Sequence, residues 1–361
     1  MKIAIRADAS NQIGTGHIMR CLTLAEELRL RGADVCFICR EFSGEAESLI
    51  GKKSFELHKL DNGKTICASK QSDVPHAEWL GVSWREDAEQ TKEKIECYKI
   101  DWLIVDHYGL DASWHRELRS SVRKILVIDD LADRKLDCDV LLDQNLFKNM
   151  TDRYKGLVPS ECEQLLGPGY ALLRSEFKKA RKTIGARTRG VEEITVFFGG
   201  ADVINETTKV VSVLNKMDLK EIRVNVVVGV ANQNRKYISE LCKANKYFSY
   251  YEQISNIAEL YARSDLCLGA GGVSTWERCA LLLPAIVVAV AYNQIEICEA
   301  AYLKGLIKYL GEVEQVSNFD WEKAVDDMIV ESSRLMEMSK SCSSYVDCSG
   351  VERVAVKLLS S

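Results

Sequence analysis

The chain has 361 residues, 47% hydrophobic and 28% charged, with four prolines and a net charge of −5. That is the composition of a globular protein with about two full-sized domains, and the mild acidity excludes a generally basic nucleic-acid surface. Thirteen cysteines, an odd count, in a chain whose amino end "MKIAIRADAS" offers no apolar leader argue for reduced thiols, so a cytoplasmic location is expected.

"KIAIRAD" has the pattern of a short strand, "GHIMRCLTLAEELRLRG" of an amphipathic helix closed by Gly32, and "ADVCFIC" of a second strand. Together they make a βαβ unit. Cys36 and Cys39 form a CxxC, but strand residues three apart point to opposite faces and no second pair follows, so a zinc site is not expected. Further apolar strands follow at "WLIVDHY" and "KILVIDD", with a helical stretch over 111–122 between them, and "DVLLDQN" could add an edge. Apolar strands separated by helices predict a parallel sheet covered on both faces.

Residues 174–192 are charged and lack a strand pattern, which predicts a linker between an N-terminal domain, 1–173, and a C-terminal domain, 193–361. The basic run "KKARKTIGARTR" has no interleaved aromatics and reads as a solvated helix end or linker. The second half repeats the plan: "EITVFFGGAD" and "NETTKVVSVLNKM", "IRVNVVVG" and "NRKYISELCKA", a helix at "NIAELYARS", then "DLCLGAGG", a helix over 274–283, "AIVVAVA" and a helix from Gln294. The most apolar run, "CALLLPAIVVAVAY", is too short for a bilayer and is broken by Pro284, so no membrane span is expected. Two doubly wound domains in tandem are expected to bind ligand in a cleft between them, at the carboxyl ends of their strands.

Three glycine turns fall at such strand ends: Gly14 with Gly16, Gly199 with Gly200, and "GAGGVSTWE" with Gly272 and Ser274. Glycines admit a ligand close to the backbone, and a helix start with free amides attracts phosphate. None matches the P-loop or dinucleotide fingerprint, so the turns point to another diphosphate-containing ligand. The five histidines show no metal-ligand spacing, and no metal or cofactor is expected.

"RADASNQIGTGHIMRC", "IVDHYGLD", "YALLRSEF", "FFGGADVINET" and "GAGGVSTWERCALLLP", with "YNQ" after the next strand, stand in the order found in PseG-type nucleotide-sugar hydrolases, which this sequence resembles over nearly its whole length. The resemblance implies a MurG-like GT-B fold of two Rossmann-like domains facing across a cleft. It implies hydrolysis, with inversion at C1, of a UDP-linked 2,4-diacetamido-2,4,6-trideoxy sugar on the route to pseudaminic acid. A UDP-sugar is then the binding partner; the sequence indicates no protein partner. The chain is longer than the smallest such hydrolases, with extra residues over 68–87.

The resemblance makes His17 the base that activates water, where the bare pattern allows a surface or capping histidine; a helix start favours the neutral imidazole that a base needs. It places Tyr108 at the sugar, although a tyrosine there could simply cap the core. His107 is a rival base, and only one of these neighbours is expected to face the ligand. Asn293 is assigned to catalysis and Gln294 to sugar amide or hydroxyl groups, helix capping being the alternative for both. Glu277 is expected to accept from the ribose hydroxyls. Asp202, Asn205 and Thr207 are capping types that could serve ligand or helix, and Arg174 could hold an anionic group or form an interdomain salt bridge. A glycosyltransferase of the same fold, or a nucleotide-sugar binding protein without turnover, remains open on pattern alone.

Overall fold

The computed structural model describes all residues except 11, 41, 43, 63–73, 186, 188, 189, 220 and 361. The chain divides into two compact units. The first comprises Met1–Gln144, Asn149–Leu172 and Ser349–Ser361, and the second Asn145–Lys148 and Leu173–Cys348.

The first unit runs β1 (Lys2–Ala7), α1 (Gly16–Leu30), β2 (Asp34–Arg40), α2 (Glu45–Lys52), β3 (Glu56–Leu60), α3 (Trp84–Ile95), β4 (Ile100–Asp106), α4 (Ala112–Leu118), β5 (Val122–Ile128), β6 (Val140–Asp143) and β7 (Glu163–Leu166). The strands lie parallel in the order β3-β2-β1-β4-β5-β6-β7. Burial on both faces explains the continuous apolar runs: along β1 Ile3 and Ile5 enter one core and Ala4 the other, and along β4 Trp102 and Ile104 oppose Leu103 and Val105. The same alternation sends Cys36 and Cys39 into different cores. All cysteines among the described residues are free.

The second unit runs α5 (Ser175–Arg181), β8 (Glu193–Phe197), α6 (Glu206–Leu214), β9 (Arg223–Val228), α7 (Arg235–Lys243), β10 (Phe248–Glu252), α8 (Ile257–Arg263), β11 (Leu266–Ala270), α9 (Val273–Ala280), β12 (Ala285–Ala289), α10 (Tyr292–Leu303), β13 (Lys308–Glu312), α11 (Asn318–Val330) and α12 (Ser332–Tyr345). Its parallel sheet has the order β10-β9-β8-β11-β12-β13, so each unit carries the doubly wound 3-2-1-4-5-6 arrangement, with one added edge strand in the first.

Two expectations are corrected. The stretch 174–192 is not a bare linker: it contains α5, which is anchored in the second unit by the fully buried Phe177. The second domain does not extend to residue 361, because the last helix, α13 (Gly350–Leu359), belongs to the first unit. Val354, Ala355 and Leu358 lie in the same core as Ile18 and Leu22, and the indole N–H of Trp102 donates to the Leu358 carbonyl at 2.9 Å. Because α13 covers α1, every residue from Arg20 to Ala25 is buried and that helix has no wide polar face. Among the described residues no helix is long and apolar enough to cross a membrane.

Candidate active site

In a doubly wound sheet, the crevice at the carboxyl ends of the strands opens where the connections diverge, here between β1 and β4 in the first unit and between β8 and β11 in the second. His17 follows β1. Gly14, at φ +75°, supplies the left-handed turn that brings the chain to α1, and its amide donates to the Ser10 carbonyl at 2.7 Å. Gly16 opens α1, whose first turn carries neither a side-chain cap nor an acidic residue.

Two helical residues bring their side chains to one carboxylate. The Nδ1 of His17 lies 2.6 Å from Asp106 Oδ1, and Arg20, one turn further along, donates from Nε and Nη2 to the two oxygens of Asp106, each at 2.6 Å. Asp106 ends β4 and is fully buried. Burial works against its charge, but Arg20 and His17 outweigh it and hold the carboxyl well below the usual carboxylate range. An ionised carboxylate only accepts, so the proton of neutral His17 is assigned to Nδ1 and Nε2 is the basic nitrogen. Tyr108 meets the His17 ring edge-on at 4.7 Å, and its hydroxyl donates to Asp130, which Arg20 also approaches at 3.5 Å. Burial, reinforced by the Asp130 charge, raises the Tyr108 phenol well above its ordinary pKa, so it stays protonated.

His107 turns the other way, as strand alternation predicts. Its Nδ1 accepts from the Gly109 amide at 3.0 Å and its Nε2 faces Asp8 at 3.4 Å. Burial lowers its pKa. Asp8 in turn belongs to a buried network in which Arg6 donates to Asp8 at 2.5 Å and to Asp87 at 2.7 Å, and Arg40 donates to Asp87 at 2.9 Å. The rival base is thus committed to the interior.

In the second unit, Gly199 (φ +102°) and Gly200 follow β8, and a Cβ on Gly229, after β9, would stand 2.2 Å from the Gly200 carbonyl oxygen. The two turns therefore meet backbone to backbone. Asp202 accepts from the amides of Glu206 and Thr207 at 3.0 and 2.9 Å, so its carboxylate caps α6, while the Asn205 side chain accepts only from the Thr208 hydroxyl. After β11, Gly271 and Gly272 lie under Gln294: a Cβ on Gly271 would meet Cys298 Sγ at 2.5 Å, and Gly272 has φ +83°. Ser274 turns back to donate to the Ala270 carbonyl at 3.3 Å, and α9 starts with no side-chain cap and no acidic residue in its first turn.

Glu277, on α9, is engaged through Oε1 by Arg174 at 3.2 Å, and Arg174 also contacts Glu176 at 3.2 Å. All three belong to the second unit, so this ion pair is internal to it and not interdomain. Burial pushes the Glu277 carboxyl up while Arg174 pulls it down. Gln294 accepts from the Val290 amide at 3.1 Å, bracing the turn from β12 into α10, and Asn293 beside it is exposed. Sequence reasoning had not assigned roles to Arg20, Asp106 and Asp130; the i, i+3 spacing of His17 and Arg20 in "GHIMR" was the available signal.

Residues 194–349 match the glycosyltransferase family 28 C-terminal domain. The chain is 28% identical, over 84% of its length and 96% of the relative's, to the UDP-2,4-diacetamido-2,4,6-trideoxy-beta-L-altropyranose hydrolase of Campylobacter jejuni. Solved structures of the same architecture include MurG of Acinetobacter baumannii, at TM-score 0.69 and 13% identity over both full chains. Another is the UDP-GlcNAc 2-epimerase of Neisseria meningitidis bound to UDP-GlcNAc, at TM-score 0.64 and 12% identity over both full chains. The fold is GT-B, and the likeness implied by the motifs extends over most of the chain.

Proposed function

We propose that this protein hydrolyses a UDP-linked 2,4-diacetamido-2,4,6-trideoxy sugar, of the L-altropyranose type, at the bond between C1 and oxygen. The observation that carries this reading is the Asp106–His17 pair, which leaves Nε2 of His17 as a base beside a sheet crevice. Fold alone does not select the reaction, since a transferase and an epimerase share it; the hydrolase relative and the oriented histidine support hydrolysis.

In the proposed step, Nε2 of His17 takes a proton from water as the water oxygen bonds to C1. The C1–oxygen bond breaks, its electron pair leaves with UDP, and the anomeric centre inverts. Asp106 holds the imidazole tautomer and favours the imidazolium that forms. Tyr108 lines the sugar position, and the motif resemblance assigns the Asn293 amide to catalysis. The departing diphosphate is held by the Gly200 and Gly272 turns and the uncapped start of α9, and Glu277 accepts from the ribose. Arg174 holds Glu277, and Gln294 shapes the Gly272 turn. This reaction is the one expected on the route to pseudaminic acid, in the cytoplasm and without a metal.

The test is hydrolysis in heavy-oxygen water with excess chelator and no acceptor. The label is expected in the free sugar and not in UDP, the nascent sugar should carry the anomeric configuration opposite to the substrate's, and His17→Ala should lower kcat by about 100- to 10,000-fold while still binding UDP. Label in phosphate would indicate attack at phosphorus. Turnover only on adding a hydroxyl acceptor would favour the second reading, a transferase, which the family 28 domain match supports.

A further inference from the structure

Of the stretch 68–87, residues 68–73 lie outside the described residues, and His76 and Trp79 stand beside Tyr108. A short turn of 3-10 helix, Ala77–Leu80, is bracketed by His76 at φ +62° and Gly81 at φ +70°. A left-handed histidine costs backbone strain, and here the surroundings hold it in place. The His76 carbonyl accepts from the Trp79 amide at 3.0 Å and would stand 2.7 Å from a Cβ on Gly109, so glycine next to Tyr108 is what admits this turn. Leu80 is buried in the core, and Asp87, just beyond, is fixed by Arg6, Arg40 and the Trp114 indole N–H.

The consequence is a line of rings. His76 lies 4.5 Å from Trp79, Trp79 lies 5.7 Å from Tyr108, His76 lies 5.9 Å from Tyr108, and Tyr108 touches His17 at 4.7 Å. His76 and Trp79 are only partly buried, and the Trp79 indole N–H has no acceptor among the described residues. A rigid aromatic surface with an unused N–H donor fits a ligand that combines carbon-rich faces with a carbonyl oxygen. An N-acetylated deoxy sugar is such a ligand, with methyl groups where ordinary sugars carry hydroxyls.

We propose that His76 and Trp79 form a specificity wall that recognises the sugar, selecting acetamido-deoxy sugars over more hydroxylated ones. This rests on the reading of the His17 site as one that acts on a nucleotide-linked sugar. The wall touches the sugar and not the nucleotide, so its loss changes affinity for one and spares the other.

Calorimetry in a His17→Ala background tests this with three ligands: UDP, UDP-GlcNAc and the UDP-linked 2,4-diacetamido-2,4,6-trideoxy sugar. Trp79→Ala is expected to weaken the diacetamido ligand about 10-fold, UDP-GlcNAc less, and UDP not at all, with Trp79→Phe recovering most of the loss. His76→Ala should act in the same direction, and an unchanged near-UV circular dichroism spectrum and urea unfolding midpoint serve as the folding control for the first unit in each variant. An unchanged ratio between the two sugar nucleotides, or an equal loss for UDP, overturns the wall. If the unsubstituted protein binds the diacetamido ligand without hydrolysing it, the hydrolase reading falls and the affinity ratios still decide the wall. Failure to bind either sugar nucleotide overturns both.

Discussion

His17 owes its proposed chemistry to groups that cannot act as bases themselves. Arg20 is fixed in its charged form by Asp106, and Asp106 in its charged form by Arg20 and His17, so the proton taken from water goes to Nε2 of His17. Replacing Asp106 by asparagine separates the two jobs of the carboxylate. The amide can present its N–H₂ to Nδ1 and stabilise the wrong tautomer, and it leaves the buried Arg20 without its principal counter-charge. Asp106→Asn is therefore expected to lower kcat about 100-fold or more and to cost roughly 3–5 kcal/mol of stability, read by stopped assay on the folded fraction and by urea unfolding. A kcat within a few-fold of the unsubstituted value would remove Asp106 from the mechanism. Much at this scale could be read in the sequence: the histidine after paired glycines, the tyrosine after a buried strand. The carboxylate partners could not. Asp106 and Asp130 are distant from His17 in sequence, and the pairing of β1 with β4 and of β4 with β5 brings those strand ends together.

At the scale of elements, close approach of two backbones decides the nucleotide half of the proposed site. A Cβ at Gly229 would fall 2.2 Å from the Gly200 carbonyl oxygen and 2.6 Å from its Cα, and backbone atoms held by two strands cannot give way cheaply. Gly229→Ala is expected to displace the Gly199–Gly200 turn, to cost about 1–3 kcal/mol, and to weaken UDP binding measurably by calorimetry. Wild-type affinity for UDP in this variant would detach that turn from the ligand. The four strands missing from the sequence reading share one physical reason. β3, β7, β10 and β13 are the edges of the two sheets, partly exposed and written with charged or hydroxyl-bearing residues, as in "ELHKL" and "KYLGE", so neither a continuous apolar run nor clean alternation marks them. Conversely "DVLLDQN", read as a possible edge, supplies β6, which lies inside the sheet because the polar "EQLL" of β7 pairs outside it.

For the whole molecule, chain order and folding unit are not the same thing. The polypeptide leaves the first unit after Leu172 and returns at Ser349, and the returning helix completes a core that the first 172 residues leave open. No element is read from the sequence over 350–359, and the identity of the surface that α13 covers depends on α1 and Trp102, more than 250 residues away along the chain. Deleting residues 349–361 uncovers Val354's and Leu358's partners and leaves the buried Trp102 indole N–H without its acceptor. Each buried aliphatic side chain is worth about 1.5–3 kcal/mol, and an unsatisfied donor adds about 1–3 kcal/mol, together comparable with the whole stability of an ordinary domain. The loss should fall on the first unit alone. Hydrogen exchange is expected to show the amides of β1 and β4 losing protection while those of β8 and β11 keep theirs, and urea unfolding should separate into two steps with the first unit melting earlier. Greater loss of protection in β8 and β11 would assign α13 to the second unit after all. Because His17 and Asp106 stand at the ends of α1 and β4, the truncated protein should also lose hydrolysis while the second unit continues to bind UDP.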